Sequence, residues 1–151
     1  MIKGARRLLI VLLYFGALSA IGGGVLGVVA NGAGVPLEYL QGTPFTSYVI
    51  PGLILGVVIG GTQGLAAITT QRQHPYSSIA ATVAGFGMII WIFVELVITG
   101  YSWLQTVYLA LGVGELLLVL VLLGVLSPTA RVRRAQTKTR PRLVENPHDP
   151  S

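Results

Sequence analysis

Four apolar stretches, residues 8–30, 48–70, 77–99 and 103–126, hold no Lys or Arg and only two carboxylates, Glu95 and Glu115. An α-helix rises 1.5 Å per residue, so about 20 residues cross about 30 Å of hydrocarbon. Each stretch meets that length. Inside lipid a backbone must satisfy its own hydrogen bonds, which leaves the helix as the natural form for such segments. With 53% hydrophobic and 10% charged residues, the chain is far from the composition of a soluble domain. The expected fold is all-α, a transmembrane antiparallel four-helix bundle with short loops. Residues 1–126 form the transmembrane domain, and 127–151 form a disordered, basic cytoplasmic tail.

The positive charges set the orientation. All ten Lys and Arg lie outside the spans: Lys3, Arg6 and Arg7, then Arg72, then six between Arg131 and Arg142. The loops 31–47 and 100–102 hold none and carry a single acid, Glu38. Basic residues are retained on the cytoplasmic side. Both termini of this multi-pass membrane protein are therefore expected in the cytoplasm. A cleaved signal peptide is the rival reading of the N-terminus, with Ala17-Leu18-Ser19 as a tolerable cleavage site. Apolar character continues through Val29, too far for an ordinary signal core, and an uncleaved first helix is expected.

The net charge of +5 is read as topology and lipid attraction, not nucleic-acid binding, because the charges flank spans. Arg131, Arg133, Arg134, Lys138, Arg140 and Arg142 are the expected contacts for anionic inner-leaflet headgroups, at about 1 kcal/mol per charge near the surface. Pro141, Pro147 and Pro150 and low hydrophobicity point to disorder there.

Glycine spacing describes the packing. Gly52, Gly56, Gly60 and Gly64 recur every four residues and form one ridge along the second span. Membrane helices associate through close contact, which small residues allow. Gly16, Ala20 and Gly24 of the first span match that ridge, and Ala81 and Gly85 are offered by the third. The expected arrangement has the second helix central, packed closely by the first and contacted by the third. The ridge either packs within the monomer or builds a homodimer.

Glu95 and Glu115 are the polar groups that most need explaining. An ionised side chain near the bilayer centre costs roughly 3 kcal/mol or more. Counting from the tight turn at Tyr101, Glu95 lies roughly 9 Å deep and Glu115 roughly 20 Å deep. At the level of Glu95 the fourth span offers Tyr108, the expected hydrogen-bond partner, with Gln105 one turn nearer the surface. At the level of Glu115 the candidates are Thr62, Gln63 and Ser19. No span holds a cation, so Glu115 is expected to carry a proton and donate a hydrogen bond. The two acids differ in depth by roughly 10 Å, which argues against a paired-carboxylate or di-metal site.

No metal site, cofactor or enzymatic activity is expected. Cysteine is absent, His74 and His148 lie outside the spans, and Gly22-Gly23-Gly24 lacks the Lys-Ser/Thr of a phosphate loop. The leading reading is an interaction or structural subunit that packs with itself or within a larger membrane complex. The alternative is a small carrier or channel component that uses Glu95 and Glu115 to move protons or a solute.

Residues 36–52, PLEYLQGTPFTSYVIPG, and 89–108, IIWIFVELVITGYSWLQTVY, resemble small four-span bacterial membrane proteins of actinobacterial type. The resemblance covers about residues 8–126 and implies a bacterial plasma membrane and four helices, with no activity attached. Its distinctive segments converge on the outer boundary. Glu38, Thr43, Phe45, Tyr101 and Trp103 are therefore the candidate outer-mouth residues, with Glu95 and Tyr108 just beneath.

Overall fold

A computed structural model describes residues 2–125. Among the described residues the chain is helical and contains no strand. Four helices carry the fold: α1 (Ile2–Val29), α2 (Val49–Gln71), α3 (Ser77–Thr99) and α4 (Trp103–Leu122), each long and apolar enough to cross a membrane. The six-residue tail cluster, Arg131 to Arg142, lies outside the described residues.

Helix boundaries follow local chemistry. α1 begins at Ile2, so Lys3, Arg6 and Arg7 form its first turns and extend it six residues before the expected start. Pro51 sits in the first turn of α2, where its missing N–H costs nothing. The α3–α4 turn is closed by Gly100 at φ 74°. α4 stops at Leu122, four residues short of the expected 126. Gly124 adopts φ 73°, its N–H reaches Val121 O at 3.0 Å, and Val125 N–H reaches Leu120 O at 3.0 Å. This is a glycine-terminated helix end that satisfies the last carbonyls.

The helices form a ring. α1 packs on α2, α2 on α3, α3 on α4, and α4 closes back on α1. The expected close packing of α2 by α1 and its contact with α3 are both present, but α2 is not central, since α4 packs on α3 and on α1. Contacts run in opposite chain order: Gly27 meets Gly52, Gly24 meets Gly56, and Tyr14 Oη donates to Gln71 Oε1 at 2.6 Å. α1, α2, α3 and α4 thus share one end near Ile2, Gln71, Ser77 and Leu122, here the terminal end. The other is the loop end.

Only 28–33% of each apolar span is buried within the chain. The rest presents residues such as Leu18, Val57, Phe86, Phe93 and Val97 outward. In water that surface would far exceed ordinary apolar patches, whereas hydrocarbon accepts it without cost.

The interior has three layers. At the terminal end Leu9, Leu13, Ala66, Ala67, Ala81, Ala84 and Val119 make one closed cluster. Ala20, Ile59, Met88, Trp91 and Leu111 form the middle layer. At the loop end Leu40, Tyr48 and Ile98 pack together with Phe45. That last cluster ties the 31–47 loop to α3, with a 3-10 turn at Leu37–Leu40. Asn31 Oδ1 accepts from Tyr48 N–H at 2.9 Å and Tyr48 Oη donates to Pro36 O at 2.9 Å. The loop is an ordered cap.

α2 is not uniform. Residues Ile54–Ile59 are π-helical, between α-helical Val49–Leu53 and Gly60–Gln71. The π segment falls where α1 and α2 approach most closely. A Cβ on Gly24 would lie 2.6 Å from Gly56 Cα and 2.7 Å from Gly52 O, distances no side chain tolerates. In an α-helix a four-residue step overshoots a full turn by about 40°, and the wider π turn offsets that drift. Gly52, Gly56 and Gly60 consequently stay against α1, the last against Ile21. Beyond the π segment Gly64 reaches only ordinary contact, 3.9 Å from Ala17 Cβ. Gly85 goes to a different neighbour from the one expected: it packs against Gly112 and Leu116 of α4.

Candidate functional site

Glu115 on α4 is fully buried and meets Gln63 on α2, also fully buried. Gln63 Nε2 donates to Glu115 Oε2 at 3.0 Å and, at longer range, to Ala84 O on α3 at 3.4 Å. Gly16 on α1 completes the setting. A Cβ there would stand 3.0 Å from Gln63 Cδ and Oε1, so glycine makes room for the amide. One hydrogen-bonded pair therefore joins three helices and rests against the fourth. Glu115 Oε1 and Gln63 Oε1 are both buried without a donor. A proton on the carboxyl would remove one bare acceptor and supply one donor.

Of the three expected partners of Glu115, Gln63 is the one that meets it. Thr62 Oγ1 donates to Ile59 O on its own helix. Ser19 Oγ donates back to Phe15 O and Gly16 O. Hydroxyls in helices commonly satisfy themselves this way, one turn back.

Glu95 lies in different surroundings. It is half-buried, and its Oε1 accepts from Trp91 Nε1 one turn earlier on α3 at 3.1 Å. The expected bond from Tyr108 is replaced by this local one, because the two residues are spaced to share a helix face. Tyr108 instead stacks on Phe15 of α1, ring centres 6.4 Å apart at 18°. The stack lies on the α1–α4 seam. Gln105, expected beside Glu95 as a polar group of the span, locks the α3–α4 turn: its Nε2 donates to Gly100 O at 2.9 Å and its Oε1 accepts from Ser102 N–H at 2.8 Å.

A cavity of about 470 Å³ runs from the level of Met88, past Glu95, to the loop end. Ser19, Ala20 and Gly23 of α1 form one wall, and Leu104, Gln105 and Tyr108 of α4 another. α3 contributes Trp91, Glu95 and Thr99, and Tyr39 and Tyr101 stand at the loop end. The glycine seam explains the space. With α1 drawn against α2 through Gly24, Gly27, Gly52 and Gly56, only the small residues Ser19, Ala20 and Gly23 of α1 line the side opposite α4 in this half.

The outer-mouth candidates divide. Tyr101 lines the cavity, and its hydroxyl shares a 2.9 Å hydrogen bond with Thr106 Oγ1. Thr43 organises its own loop, donating to Leu40 O at 2.7 Å and accepting from Phe45 N–H at 3.3 Å. Phe45 packs into the loop-end cluster, while Glu38 and Trp103 are exposed and outside the lining. The sequence does not single out Trp91, and it places Gly16 against the α2 glycine ridge, whereas in the fold Gly16 faces the Gln63 amide. The signal available was Trp91 four residues before Glu95, a helical spacing that makes them neighbours.

Comparison with protein-family models, with curated proteins and with solved structures gives no match for this chain.

Proposed function

We propose that the chain is a non-enzymatic integral membrane protein, an antiparallel four-helix bundle that serves as an interaction or structural subunit and does not conduct. The observation that carries this reading is the packed terminal half. Directly behind Glu115 and Gln63 stand Leu9, Leu13, Ala66, Ala67, Ala81, Ala84 and Val119, each at most 3% exposed. A proton or ion path needs polar groups or water in both halves of the membrane. Thr70, at the end of α2, is the one other buried polar side chain in this half among the described residues. Glu115 therefore works as interhelical glue, holding α4 to α2.

Positive charge retained on one side favours a cytoplasmic terminal end, with the loop end outside. The host membrane we propose, from the resemblance of segments 36–52 and 89–108, is a bacterial plasma membrane. The tail would bind anionic headgroups of its inner leaflet. The Gly52–Gly56 ridge is engaged by α1 of the same chain, so self-association or a partner would use another face.

The carrier reading draws support from the loop-end cavity and Glu95, but it needs the terminal-end cluster to open. Purified protein in proteoliposomes tests the choice. Wild type is expected to give no proton or cation flux above empty liposomes. Flux in wild type that disappears in Glu115→Gln would reverse the assignment. A reporter fused after Ser151 is expected to report from the cytoplasm.

A further inference from the structure

The cavity at the loop end has a use that a purely structural subunit does not require. Its volume of about 470 Å³ falls in the range of small-molecule sites, about 300–1,000 Å³. Its floor is apolar, with Leu55, Met88 and Ile92. One carboxylate, Glu95, faces it, with Oε1 held by the Trp91 indole. Among the described residues no donor bonds the second oxygen, Oε2. The described cations, Lys3, Arg6, Arg7 and Arg72, all belong to the terminal end, more than a helix half-length away. Aromatic rings of Trp91, Tyr39, Tyr101 and Tyr108 line the remaining walls.

An apolar chamber with a lone carboxylate among aromatic rings has a definite complement. Ring faces attract cations through their quadrupole, most strongly where water is excluded. A carboxylate fixed on one oxygen offers its other to a positive centre without reorganising. An apolar body gains by filling the floor. We propose that this cavity is a binding site for a hydrophobic organic monocation, an ammonium or phosphonium centre on an apolar body, with Glu95 as its counter-charge and the aromatic rings as its walls. The ligand carries no phosphate, because a headgroup phosphate would bring a second negative charge against Glu95. Tyr39 and Tyr101, both exposed, line the cavity at the loop end.

Tetraphenylphosphonium is a suitable probe, measured by equilibrium binding of the labelled cation to the full chain in detergent. The wild type is expected to bind it saturably, one per chain. Glu95→Gln keeps the acceptor for the Trp91 indole, so it should preserve the fold, checked by helical content and monodispersity. It is expected to weaken binding about tenfold or more. Glu95→Asp keeps the charge and is expected to retain most of the affinity. Neutral tetraphenylsilane is expected not to compete. Non-saturable uptake equal to that of empty micelles overturns the proposal. So do equal affinities in wild type and Glu95→Gln, equal losses in Glu95→Gln and Glu95→Asp, or full competition by the silane. The last outcome would mark the cavity as an apolar gap filled by lipid tails.

Discussion

Glu115 and Glu95 are the same residue type, in neighbouring helices, with opposite surroundings. Glu115 is sealed, paired with Gln63 and backed by small and aliphatic side chains from all four helices. Glu95 is half-buried, tied to its own helix by Trp91 and open to a cavity. A carboxylate that joins helices must be satisfied by other helices. One that receives a ligand must be held locally, so that its free oxygen faces space. The terminal half is built as a joint and the loop half as a chamber.

Several substitutions test that contrast. The largest effect should come from Gly24→Leu, which places a side chain against the backbone of Gly52 and Gly56. Overpacking of about 3 kcal/mol or more is expected, read as loss of monodisperse protein in detergent. Gly61→Leu, where a Cβ meets nothing within 4 Å, is the matched control and should behave as wild type.

Glu115→Ala comes next. It strands the buried Gln63 amide and should cost about 1–3 kcal/mol in reversible unfolding from bicelles. In a double-mutant cycle with Gln63→Leu, the coupling is expected near 1 kcal/mol, typical of hydrogen bonds between membrane helices. A coupling near zero would dissolve the joint.

Gly16→Ala should cost about 1 kcal/mol by displacing the Gln63 amide. Its effect should vanish in a Gln63→Ala background, where the crowded amide is gone. Tyr48→Phe loses the bond to Pro36 and should cost about 1 kcal/mol or less. It should also raise hydrogen exchange in the 31–47 loop without altering exchange near Glu115.

Glu95→Gln should change stability least, by less than about 0.5 kcal/mol, since its one bond is local and survives the change. If Glu95→Gln destabilised as much as Glu115→Ala, the distinction between joint and chamber would be lost.

The four spans were legible because lipid-facing helices write their length in uncharged residues, and α3 occupies the expected 77–99. Gln63 as a partner of Glu115 was legible too, because depth can be counted along straight helices from a common turn. Lateral facing was not. It depends on helix rotation, which put Gly85 against α4 and turned Tyr108 toward Phe15 and not toward Glu95. The end of α4 was hidden because Gly124 sits inside a leucine-rich run, where a glycine reads as another small packing residue. The anchor of the 31–47 loop was hidden because Asn31 and Tyr48 lie 17 positions apart.

The π-helical segment at Ile54–Ile59 carries a consequence for how the gene for this chain can change. Each residue advances an α-helix by about 100°, and the wider π turn takes up about one residue more than regular winding would, so the segment holds an extra residue without turning the helix beyond it. Gly52 on one side and Gln63 on the other therefore both keep their partners, the seam with α1 and the joint with Glu115. A one-codon deletion in this short window should therefore be better tolerated than the same deletion in the regular turns of Gly60–Gln71, where nothing offsets the swing. The wide turn acts as a phase setting between two independently specified contacts on a single helix.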